Sequence, residues 1–80
     1  MSEIVLYTTR YCGFCNQAKT LLNRKNLAFQ DIAVDGDPEL RAKISEKAGG
    51  YRTVPMIFID QKFVGGFTEL VALEREGKLK

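Results

Sequence analysis

Eighty residues, 45% of them hydrophobic and 28% charged, describe one small globular domain spanning 1–80, near the lower size limit for a core that folds without staples. Two cysteines are too few for a disulfide scaffold of the secreted kind, and a net charge of +2 with no run of like charge leaves no electrostatic footprint for nucleic acid. No stretch approaches transmembrane length, and Met1 to Thr9 lacks the basic start and apolar run of a signal peptide, so the expectation is a cytoplasmic chain with no membrane partner.

The β-branched and aromatic run Glu3-Ile4-Val5-Leu6-Tyr7-Thr8-Thr9 predicts a first strand over Ile4 to Thr8. A helix from about Gly13 to Lys25 follows, because Phe14, Cys15, Ala18, Leu21 and Leu22 recur at helical spacing, and Asn26 closes it. Cys12-Gly13-Phe14-Cys15 stands at the junction. Cys12 falls at the helix N-terminus, where unpaired N–H groups and the macrodipole favour an anion. Cys15 falls one turn further in, on the apolar face with Ala18 and Leu22, a setting that keeps a thiol protonated. Two sulfurs in disulfide range with different acidities are what thiol–disulfide exchange requires. The competing readings of the pair are a structural disulfide and half a zinc site. In a reducing compartment a close pair is more often catalytic or metal-binding than structural. Zinc would need two more ligands, and with no histidine and no further cysteine the chain has only carboxylates to offer.

Ala28 to Val34 predicts a second strand, apolar at 28, 32 and 34 with Phe29 out of phase. Short links around one helix make it a parallel neighbour of the first strand. Asp35-Gly36-Asp37-Pro38 is a turn and then a helix start, with Asp37 as N-cap and Pro38 as the first helical residue. Leu40, Ile44 and Ala48 form that helix's buried line, and Gly49-Gly50 ends it. Pro55 precedes a strand pattern, where proline is unwelcome unless the chain turns or the strand is an edge. Met56 to Ile59 and Lys62 to Val64 flank Asp60-Gln61 as a tight hairpin. Gly65-Gly66 lets a ligand approach the backbone closely. A last helix starts near Thr68, a good N-cap, buries Leu70, Val71 and Leu73, and stops at Gly77. The expected order is β-α-β-α-β-β-α, an α/β fold with a four-stranded mixed sheet and three helices distributed over both faces.

Three separated motifs then carry a resemblance: Thr9-Arg10-Tyr11-Cys12-Gly13-Phe14-Cys15, Thr53-Val54-Pro55 and Gly65-Gly66-Phe67-Thr68. In this order and on these elements they make the whole chain resemble a small bacterial-type dithiol glutaredoxin with a Cys-Gly-Phe-Cys active site, a minimal member of the thioredoxin fold. The resemblance implies a glutathione-dependent oxidoreductase that reduces glutathionylated proteins and disulfides, with Cys12 as nucleophile and Cys15 as resolving thiol. It implies a cis Val54-Pro55 bond facing Cys12, and a Val54 backbone that pairs with glutathione as an added strand. Thr53 and Gly66 belong to the same site, and the N–H groups of Phe67 and Thr68 receive the γ-glutamyl carboxylate at a helix N-terminus. Tyr11 and Phe14 are the expected apolar walls. Arg10 is assigned to the glycine carboxylate, with Arg52 as the alternative.

The chain departs from the family pattern at two places. Gly13-Phe14 stands where dithiol members usually carry proline and tyrosine, and it matches the monothiol branch, which has serine in place of Cys15. Phe67, Thr68 and Glu69 stand where the family often has cysteine and two aspartates, so the γ-glutamyl ammonium finds a partner only if Glu69 turns back. Two further readings follow from the resemblance. One is a carrier dimer with a [2Fe-2S] cluster held by Cys12 and bound glutathione. The other is a hydrogen donor to ribonucleotide reductase, reduced by thioredoxin reductase; the absence of tryptophan and the presence of Gly65-Gly66 speak against it. The expected state is a monomer, with a dimer only where a cluster is bound and no metal otherwise.

Overall fold

The computed structural model describes residues 3–79 and has the expected order: β1 (Ile4–Thr8), α1 (Gly13–Arg24), β2 (Gln30–Ala33), α2 (Pro38–Lys47), β3 (Met56–Ile59), β4 (Lys62–Gly65) and α3 (Phe67–Arg75). The four strands form one mixed sheet in the order β2-β1-β3-β4. Strand β1 is central, parallel to β2 with Val5 opposite Gln30, and antiparallel to β3 with Leu6 opposite Ile57. Its side chains alternate between faces, as a pleated strand requires. Ile4 and Leu6 point into one core with Ala18, Leu21 and Leu22 of α1 and Leu70 of α3. Tyr7 points into the other, with Ile44 of α2, Met56 and Phe58. Helices α1 and α3 therefore cover one face of the sheet and α2 the other.

Local chemistry explains the boundaries. Asp37 caps α2 through its side chain, Oδ1 accepting from Leu40 N–H at 3.1 Å, with Pro38 in the first turn. All three helices end in the same doubly bonded motif, in which the residue after the cap adopts positive φ. For α1 that residue is Asn26 at φ 57°, whose N–H donates to Asn23 O while the Leu27 N–H donates to Leu22 O. Gly49 and Gly77 take the same position after α2 and α3, with φ of 73° and 70°. The hairpin turns through Asp60 and Gln61, both at positive φ, and Asp60 exchanges hydrogen bonds with the Glu3 backbone.

Two expectations are corrected. Strand β2 begins at Gln30, not Ala28, because the chain leaving Asn26 is still committed to closing α1 through the Leu27–Leu22 bond. The N-cap of α3 is Gly66, not Thr68. The Glu69 carboxylate reaches back to accept from the Gly66 N–H at 2.7 Å, which fixes the helix start two residues earlier than a hydroxyl cap would.

Candidate active site

Cys12 is the N-cap of α1. Its extended backbone, φ −120° and ψ 109°, lets the side chain fold over the first turn, where Sγ accepts from the Cys15 N–H at 3.1 Å. On its other side the thiol donates to the Val54 carbonyl at 3.6 Å. Cys12 is half-buried and reachable, whereas Cys15 is 0% exposed, packed inside α1's apolar face. Burial, reinforced by the neighbouring Cys12 sulfur, pushes the Cys15 thiol up to about 12. The two sulfurs therefore differ in access as well as in setting, and both are free thiols.

The Val54-Pro55 peptide bond is cis. Thr53, Val54 and Pro55 form one wall of a groove of about 380 Å³ beside Cys12, and Gly66, Phe67 and Thr68 form the facing wall. Six of the residues singled out in the sequence thus come together from segments distant in the chain. Phe14, 61% exposed, stacks on Phe67 at a ring separation of 6.1 Å and also lines the groove. Two residues that sequence reasoning left out or left open also line it, Tyr51 and Glu69. Glu69 does turn back. It sits against Gly65, whose φ of +128° suits only glycine and where an added Cβ would meet Glu69 Cγ at 2.5 Å. A glutamate three residues after a helix-capping glycine was the available signal. Nothing in the sequence pointed to Tyr51, which reaches the site because its ring leans on Phe63, 5.0 Å away, and its hydroxyl lies over Gly66.

The remaining assigned residues lie elsewhere. Tyr11 is 97% exposed and is absent from the groove wall. Arg10 is also outside it: its Nε donates to Asp35 Oδ2 at 3.0 Å, and the guanidinium holds the Asp35 carboxyl below its ordinary range. Arg52 lines a separate cleft with Arg41 and Ser45, its carbonyl accepting from Arg41 Nη2. Among the described residues no cation lines the groove itself, and Glu69 is its one carboxylate. Among the described residues no three histidine, cysteine, aspartate or glutamate side chains gather as a metal site. With Cys15 sealed in the core, an iron–sulfur cluster would have a single sulfur of this chain to bind.

Comparison with known proteins identifies the family. The sequence matches the glutaredoxin family over residues 4–64. It is 54% identical over 79 residues to a glutaredoxin from Pseudomonas aeruginosa, covering 99% of this chain and 93% of that one. It is 38% identical over 79 residues to glutaredoxin 3 of Escherichia coli K12, covering 99% and 94%. Among solved structures, a glutaredoxin from Brucella melitensis superposes with a TM-score of 0.82 at 45% identity, covering 95% of this chain and 82% of that one. A buckwheat glutaredoxin–glutathione complex superposes at 0.89 with 31% identity, covering 98% and 73%. The chain belongs to the glutaredoxin family, whose members are thiol–disulfide oxidoreductases of the thioredoxin fold.

Proposed function

We propose that the protein reduces glutathionylated proteins and disulfides at the expense of glutathione, with Cys12 as nucleophile and Cys15 as resolving thiol. The observation that carries this reading is the pairing of a half-buried sulfur, hydrogen-bonded to the Val54 wall of a peptide-sized groove, with a second sulfur sealed one helical turn behind it. The buckwheat relative was solved with glutathione, which supports glutathione as the occupant of the groove here.

In the first step Cys12 gives up its thiol proton to solvent and attacks, as thiolate, the glutathione sulfur of a mixed disulfide. A Cys12–glutathione bond forms, the original S–S bond breaks, and the released thiolate of the substrate takes a proton from solvent. The Cys15 N–H that donates to Cys12 Sγ stabilises the sulfur both as attacker and as leaving group. A second glutathione thiolate then attacks the glutathione sulfur, so that Cys12 departs as thiolate and glutathione disulfide is released. With a protein disulfide, Cys12 first forms a mixed disulfide with one of the protein's sulfurs and releases the other as a thiol. Cys15 then gives up its proton and attacks the Cys12 sulfur, breaking that bond and closing an internal disulfide while the protein leaves with both thiols reduced. Two glutathione molecules then restore both thiols.

The residues of the groove fit an extended tripeptide. Among the described residues the Val54 N–H has no hydrogen-bond partner, which leaves it open for strand addition. The first turn of α3 offers the Phe67 and Thr68 N–H groups to the γ-glutamyl carboxylate, and the Glu69 carboxylate beside them is the partner for the ammonium. The test is turnover of a glutathionylated peptide in a glutathione-reductase-coupled assay. Cys12→Ser should abolish it, whereas Cys15→Ser should keep it within a few fold while losing reduction of a protein disulfide. Equal loss in both variants would remove the division of labour. Glu69→Gln should raise KM for glutathione with a smaller change in kcat.

A further inference from the structure

We propose that the ridge of Phe67, Val71 and Arg75 on α3, its two apolar members half-buried and Arg75 exposed, docks the polypeptide that flanks the target cysteine of a protein substrate, selecting an apolar side chain followed at a distance by a carboxylate. The inference rests on the oxidoreductase reading and extends it from the small thiol to the protein it is removed from.

Spacing comes first. Phe67, Val71 and Arg75 are four residues apart and form one line along the helix. A groove of about 480 Å³ runs on one side of that line, between α3 and α1, with Leu21 on its wall and Arg24 of α1 at the far end. A second groove of about 540 Å³ runs on the other side and shares all three ridge residues. The second groove also takes in Phe14 and Thr68, which line the active-site groove as well. From the stacked Phe14–Phe67 pair beside Cys12 the surface is therefore continuous with the site of reaction. Glutathione fills the active-site groove, so the substrate's own chain must leave the sulfur along another path.

Charge supplies the second argument. Both helices start at the reaction end, α1 with Cys12 as cap and α3 with Gly66, and each carries an arginine in its last turn, Arg24 and Arg75. Neither arginine takes part in an ion pair among the described residues. Between α1 and α3 the one carboxylate facing these two guanidinium groups is Glu74. On the other side of the ridge Glu76 is occupied by Lys78 at 3.2 Å. The path thus begins apolar and ends cationic. Eight residues of helix span about 12 Å, a distance that an extended peptide covers in roughly four residues. The preferred substrate carries an apolar residue close to the target cysteine and an aspartate or glutamate roughly four residues beyond it.

The experiment uses glutathionylated synthetic peptides with leucine near the modified cysteine and, four residues on, either aspartate or lysine, built in both chain directions. A glutathione–cysteine mixed disulfide is the third substrate. The parent should favour the aspartate peptide over the lysine peptide by about fivefold in kcat/KM in one of the two directions, a preference that fades with added salt. The double charge reversal Arg24→Glu and Arg75→Glu, both at exposed positions, should invert the preference and leave the small mixed disulfide unchanged. A parent that does not distinguish aspartate from lysine, or a variant that loses all three substrates equally, would overturn the docking surface. A parent inactive even on the small mixed disulfide would overturn the oxidoreductase reading, and the docking surface with it.

Discussion

The two faces of the sheet are built differently. Against α1 and α3 the core is aliphatic and deep: Leu6, Leu22 and Leu70 are fully buried there, with Ile57 beneath them. Against α2 it is shallow and aromatic, with Tyr7 edge-on to Phe58 at 5.6 Å, Phe58 tilted on Phe63 at 5.3 Å and Phe63 on Tyr51. The candidate site draws one wall from each. The deep face holds both helix starts, and with them Cys12 and the first turn of α3. The shallow face holds the 51–55 loop, through the Tyr51 ring and through Ser45 Oγ donating to the Tyr51 carbonyl. The difference teaches that the sulfur is anchored by the more extensively buried core, while the wall that grips an incoming peptide is tied to the smaller one.

The comparison breaks most sharply at Leu22. Leu22→Ala should cost about 2–5 kcal/mol of stability by denaturant unfolding, yet the molecules that remain folded should keep their KM for glutathione. Phe63→Ala should cost less, about 1–3 kcal/mol, since the ring is only partly buried, but it should raise that KM because Tyr51 loses its support. Equal KM responses in the two variants would dissolve the distinction between the faces. Gly65→Ala tests the seam itself: the positive φ and the displaced Glu69 should cost about 1–3 kcal/mol and weaken glutathione binding together.

A smaller effect lies in acid. Partial burial alone would raise the Asp31 carboxyl, but hydrogen bonds from Lys19 and Thr8, with the Lys19 charge, outweigh it and hold it below the ordinary value of 3.8. Lys19 Nζ lies 2.7 Å from Asp31 Oδ2, and the buried Thr8 hydroxyl donates to Oδ1 at 2.6 Å. A carboxyl depressed in the folded state binds protons more readily unfolded, so its stabilisation is present above 3.8 and disappears as pH falls through the folded value. Acid unfolding of Lys19→Met should therefore begin at higher pH than that of the parent. Smallest of all is Arg10→Ala. With the guanidinium 78% exposed and engaged by Asp35, the KM for glutathione should move by less than about twofold.

Most of the fold was legible because its punctuation is local. Asn26, Asp37-Pro38, Gly49 and Asp60-Gln61 each specify a backbone state on their own, and each stands where it was expected. Thr68 misleads because its hydroxyl suits a cap in isolation, whereas the capping bond is made by the carboxylate of the next residue, Glu69, to the Gly66 N–H. Within the site, the cysteines, Thr53-Val54-Pro55 and Gly66-Phe67-Thr68 were readable because the motif residues are themselves the wall. Tyr51 was not, since its place depends on Phe63, and the position of Arg10 outside the groove depends on Asp35, partners that no spacing rule connects to them.

The central position of β1 has a consequence for the order in which the chain is made. The first strand is synthesised first, and its partner on one side, β2, is complete by Ala33, but its partner on the other side ends at Ile59. At about 5–20 residues per second, the ribosome leaves Ile4, Val5 and Leu6 with one open edge for roughly a second or more after β1-α1-β2 can close. The α1 face of this half also waits for α3 and Leu79, which is buried against the same core. During that interval the nascent chain presents an unpaired hydrophobic edge, the kind of surface on which a chaperone acts or an aggregate begins.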